Sequence, residues 1–172
     1  MVRQKTNEAL KEMMKRPIPE KRVSVIHLEM VKESRSLYGM GRLSSPSKAA
    51  ETVRPLCHMA DRELMLVMSL NNRMEAQAVE VAAVGGINYC GIDIPNLFKH
   101  TLLNNGAYIM CFHNHPSGDP EPSWEDKCIT KRIVEAGKIL GIPLKDHIIL
   151  GEDNFYSFRE HGFFDGEMDD CA

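Results

Sequence analysis

The sequence predicts an α/β protein of the α+β kind, with a mixed sheet and flanking helices in a three-layer arrangement. Three observations lead there. Two apolar runs, 63–70 and 74–84, flank Asn71-Asn72 and read as the strands of a hairpin. A further apolar strand, 107–115, is followed by a long helical pattern and then by the strand 144–150, so helices also connect strands that are not neighbours in sequence. Hairpins combined with such connections argue for a mixed sheet over a doubly wound parallel one.

Each element has its own signals. Residues 3–15 read as a short polar helix ended by Pro17 and Pro19, and 22–31 alternate as a strand. Ser45 and Pro46 look like the cap and first position of a helix over 46–58. Residues 94–104 fit a helix closed by Asn105-Gly106, with Leu97 and Phe98 among its inward positions. Ser123 caps the helix 124–140, which ends at Gly141 and Pro143. A last short strand is expected at Phe155–Phe158. The organisation expected is an extension over 1–43, one domain over 44–161 and a mobile acidic tail over 162–172.

Composition narrows the function classes. The 172 residues are 43% hydrophobic and 26% charged, which suits one globular domain with a substantial core. A net charge of −3 does not favour phosphate neutralisation, so nucleic acid is a disfavoured partner. Five widely spaced cysteines with no Cys-x-x-Cys argue against a disulfide framework or a cysteine zinc knuckle, and suit a reducing cytoplasm. No run is long and apolar enough to predict a membrane span.

The chemistry concentrates in His113-Asn114-His115, then Ser123 and Asp126. Histidines at i and i+2 on a strand project from one face, so both imidazoles can reach one point. Asp126 falls in the first turn of the next helix, across a loop stiffened by Pro116, Pro120 and Pro122. Two imidazoles and a carboxylate leave a fourth tetrahedral position for water, the pattern of a catalytic zinc site. Such a site needs a general base, for which Glu63 at the mouth of a buried strand is the best candidate and Glu80 a weaker one. Each member also has a plain reading: paired surface histidines, a Ser-x-x-acid capping box, a solvated strand end. Their combination is what is specific.

His113-x-His115-x7-Ser123-x-x-Asp126 resembles the JAMM signature of the JAB/MPN metalloprotease superfamily, and HNHPSGDPEPS with DHIILG is similar to the RadC branch, from about Ser44 to Glu160. The resemblance implies the cytidine-deaminase-like JAB fold with zinc at a strand–helix junction, held by His113, His115 and Asp126. It implies that Ser123 orients water or stabilises an oxyanion, that Glu63 is the acid/base, and that a peptide or isopeptide bond in a protein or peptide substrate is cleaved. The residues before Ser44 are not expected to form the helix-hairpin-helix region usual in that branch. The readings that compete with a zinc hydrolase are a non-catalytic, metal-stabilised binding module and a DNA-repair-associated protein acting near nucleic acid. A homodimer is the base-rate expectation for assembly. Among the other residues, Asp146-His147 is expected to support the sheet beside the site, with contact to a ligand histidine as the less favoured alternative, and His58, His100 and His161 have no partner at ligand spacing and are expected to be surface or satisfied core residues.

Overall fold

The computed structural model describes Lys11, Lys15 and residues 41–57, 60–85 and 92–165. The strand expected over 22–31, and all but two residues of the helix expected over 3–15, lie outside that set. In chain order the described elements are α1 (Pro46–Cys57), β1 (Leu64–Leu70), β2 (Ala76–Val84), α2 (Ile94–Leu103), β3 (Tyr108–Asn114), α3 (Trp124–Leu140), β4 (Leu144–Leu150) and β5 (Phe155–Ser157).

The strands form one mixed sheet in the order β2-β1-β3-β4-β5. All neighbouring pairs are antiparallel except β3 and β4, which run parallel and are joined through α3. Helices cover both faces, so β1 and β3 are buried on both sides. This is why ELMLVMSL and AYIMCF read as continuous apolar runs instead of alternating ones.

Alternation along β3 sorts its side chains between two cores. Met110 and Phe112 join Leu66, Met68, Leu70, Ile148 and Leu150 beneath Ala49, Ala50 and Val53 of α1. Ile109 and Cys111 join Met65 and Val67 beneath Leu97 and Phe98 of α2 and Ile129 and Ile133 of α3. Continuing the alternation sends His113 to the α2/α3 face and Asn114 to the α1 face.

The capping signals hold at α3. Ser123 and Asp126 form a reciprocal capping box, and Gly141 closes the helix at φ +70. Inside α3, a Cβ on Gly137 would meet the Ile142 carbonyl oxygen at 2.7 Å, so this glycine lets the helix lie close on the return to β4. One local expectation changes. The hairpin turn runs over Asn71–Glu75, and Met74, not an asparagine, adopts φ +62. Asn105-Gly106 closes α2 as expected, with Asn105 left-handed at φ +56 and the Gly106 amide returning to the Thr101 carbonyl.

Packing also runs past residue 161, where the tail was expected to begin. Phe163 meets Phe158 edge-on, and Phe164 packs against the α2/α3 core. Cys57 and Cys111 are buried free thiols. No helix among the described residues is long and apolar enough to cross a membrane.

Candidate metal centre

The site forms where β3 ends and α3 begins. β3 is the central strand, paired with β1 at Met65–His113 and with β4 at His113–Ile149, and the His115 amide extends the pairing to the Leu150 carbonyl at 2.9 Å. Both imidazoles are thereby carried by a backbone held from two sides. The loop 116–122 then returns the chain so that the N-terminus of α3 faces them.

Three donors converge. His113 Nε2 and His115 Nε2 are 3.0 Å apart, and Asp126 places Oδ1 3.2 Å from His113 and Oδ2 3.5 Å from His115. For ligand bonds of about 2.1 Å, a tetrahedral zinc site separates its donors by about 3.4 Å. The three separations scatter around that value, and the cluster could hold a metal ion. His115 Nδ1 lies 2.7 Å from the Asp119 carbonyl, which can only accept. Nδ1 therefore carries the proton, and the His115 Nε2 lone pair faces the cluster.

The electrostatics ask for a cation. Burial works to raise the Asp126 carboxyl, but His113, His115 and the Ser123 hydroxyl more than offset it, holding the pKa far below the carboxylate range. The Asp126 carboxylate raises the His115 pKa against the opposing effect of burial, with smaller help from the Asp119 carbonyl and Glu63. Either a proton on His115 or a metal ion satisfies the same demand, so the two compete.

Ser123 is exposed, and its hydroxyl donates to Asp126 Oδ2 at 2.6 Å while accepting from the Asp126 amide. In this arrangement it aims the carboxylate. Glu63 is half-buried just before β1, near enough for its charge to act on His115. Glu80 lies on β2, separated from β3 by β1, with its carboxylate 2.9 Å from His100. His100 is thus a satisfied residue outside any metal cluster among the described residues, and so is His161, whose Nδ1 lies 2.8 Å from the Ser157 carbonyl. His58 lies outside the described residues.

Three contacts support the site, of which the sequence suggested only the last, and as the lesser alternative. Asn114 accepts from the Leu64 amide at 2.9 Å and donates to the Arg62 carbonyl at 3.2 Å, gripping the backbone on either side of Glu63. Asn114→Ala is expected to cost about 2 kcal/mol, roughly 1 kcal/mol for each lost hydrogen bond. It should also speed hydrogen exchange at the Leu64 amide. An unchanged exchange rate there would show that the segment needs no such grip. Arg54 of α1 donates to the carbonyls of Gly151, Glu152 and Asn154 at 2.6–2.8 Å, and the Glu152 amide donates to Gly118 of the site loop. The third contact is His147, wholly buried, with Nε2 2.9 Å from His113 Nδ1. Burial above all keeps its pKa well below the usual imidazole value.

Its neighbour Asp146 is almost fully buried and accepts from Ser157 Oγ at 2.6 Å and the Arg159 amide at 3.0 Å. Burial nevertheless pushes its pKa up to about 6 from 3.8. A carboxyl raised on folding takes up a proton in the native state, so its contribution to stability is full below about pH 4 and is lost as pH rises to about 6. Asp146→Asn should therefore gain stability relative to wild type across that window, by up to about 3 kcal/mol at pH 7. Urea titrations at pH 4, 5, 6 and 7 check this, and a difference that stays constant with pH would contradict it.

Comparison with known proteins gives a consistent answer. The model of the RadC-like JAB domain matches residues 43–163. The chain is 42% identical over 119 residues to UPF0758 protein lwe1562 of Listeria welshimeri, covering 69% of this chain and 53% of that one. It is 41% identical over 122 residues to UPF0758 protein ABC2615 of Shouchella clausii, and 34% identical over 122 residues to a UPF0758 protein of Methanosarcina mazei; each match covers 71% of this chain and 53% of the relative. The chain thus spans about half the length of these curated relatives.

Proposed function

Given that this chain belongs to the RadC-like JAB domain family, we propose that it is a zinc-dependent hydrolase of the JAMM type, cleaving peptide or isopeptide bonds in peptide or protein substrates of the cytoplasm. One observation carries the reading: the converging Nε2 atoms of His113 and His115 and the carboxylate of Asp126, at separations suited to a tetrahedral ion. These three residues would hold the metal. Zinc, when bound, supplies Lewis acidity toward a carbonyl oxygen and toward water.

The chain's own residues do the rest. Asp126 contributes a carboxylate that stays ionised at any physiological pH. Glu63 takes a proton from the attacking water and returns it to the leaving amine, the work of a general acid/base. Asn114 holds Glu63 at the end of β1 for that task. Ser123, exposed at the cap of α3, can turn its hydroxyl from Asp126 toward a developing oxyanion.

The test is to load the purified chain with zinc and offer fluorogenic peptides and isopeptide-linked conjugates, with and without chelator. Cleavage that chelation abolishes and zinc restores supports the reading. Failure to take up zinc at all would sink it.

A further inference from the structure

Thr130 lies one turn beyond Asp126 on α3, and its hydroxyl donates to the Asp126 carbonyl at 2.6 Å. A hydroxyl has one proton, so toward His147 Nδ1, also 2.6 Å away, Thr130 can only accept. His147 Nδ1 therefore carries a hydrogen. The His147 ring is fully buried, stacks on Phe158 with centroids 5.1 Å apart, and has no carboxylate on either nitrogen. Such a ring is neutral, and its Nε2 is then an acceptor. Facing that acceptor at 2.9 Å, His113 Nδ1 must donate. His113 Nε2 is the nitrogen left to point at His115 and Asp126.

We infer that Thr130 and His147 are positioning residues: a buried relay that fixes His113 as its Nδ1–H tautomer and so presents the Nε2 lone pair to a divalent cation. The relay starts on the backbone carbonyl of Asp126 and ends opposite the same residue's carboxylate. A shift of the first turn of α3 would thus move one donor directly and reorient another through the relay. The inference rests on the metal-site reading above, but its polarity belongs to the protein alone.

That separation sets the experiment. In metal-free protein labelled with 15N-histidine, long-range 1H–15N correlation spectra are expected to show His113 and His147 both protonated on Nδ1. A bare Nδ1 on His113 would overturn the relay, whether or not zinc binds. Zinc affinity, by competition with a chromophoric chelator, should fall about 10- to 100-fold in Thr130→Val, a substitution of nearly the same shape, and recover in Thr130→Ser. Wild-type affinity in Thr130→Val would also overturn the relay while leaving the metal site standing. A wild type that binds no zinc would remove the metal reading, and the tautomer spectrum alone would then decide the relay. The same spectrum decides it if Thr130→Val fails to fold.

Discussion

Glu63→Gln is expected to retain one zinc per chain and to lose at least about 100-fold in hydrolysis, the scale on which a positioned acid/base contributes. His113→Ala and Asp126→Ala should instead lose metal and turnover together. The contrast follows from position. Glu63 acts on the cluster through its charge and sits ahead of β1, apart from the segment that carries both histidines, whereas His113 and Asp126 each supply one of three converging donors. Gln keeps the shape and hydrogen-bonding reach of Glu but cannot accept a proton at neutral pH, so the change isolates proton transfer from fold. Metal analysis by mass spectrometry beside a rate measurement separates the cases. Full activity in Glu63→Gln would remove Glu63 from the mechanism, and zinc retained by Asp126→Ala would remove Asp126 from the ligand set.

Among the described glycines, Gly151→Ala should be the most damaging added methyl group. A Cβ there would collide with the Gly118 carbonyl, a backbone atom, and with Asn154 Oδ1, and would press Pro120 Cδ at 2.9 Å. The Asn154 side chain can rotate away, but the Gly118 carbonyl cannot, because it accepts the Glu152 amide at 3.0 Å. The loop 116–122 must shift, and with it the Asp119 carbonyl that fixes the His115 tautomer. We expect a loss of about 3 kcal/mol, at the upper end of overpacking costs, together with weaker zinc binding. Thermal melts with and without zinc check both parts. A variant as stable as wild type would mean that the loop yields without strain.

Much of this architecture is legible in the sequence because its signals are local. Ser123 and Gly141 bound α3, the apolar run 63–70 marks β1, and the i, i+2 histidines with Asp126 a short loop away already imply convergence. What is not legible depends on pairing between distant segments. The role of His147 requires β3 and β4 to run parallel with Cys111 opposite His147, which brings its ring beside His113. Arg54 reaches carbonyls about a hundred positions along the chain, and nothing in its own neighbourhood predicts that reach. Phe163 and Phe164 look like the start of an acidic tail until their rings are seen against the cores. Asn114 sits inside the most conspicuous motif, yet its alternation to the opposite face gives it a task distinct from that of its flanking histidines.

The three-carbonyl grip of Arg54 bears on how small a working fragment of this protein can be made. Glu63, His113, His115, Ser123 and Asp126 all lie downstream of α1. A fragment starting at Asp61 would therefore carry every proposed metal ligand and catalytic residue. It would lack the guanidinium that ties the 151–154 turn and, through Gly118, braces the loop behind His115. Trimming to the motif would keep the chemistry's inventory and loosen its frame, so the boundary for expression belongs before Ser45, where α1 is capped.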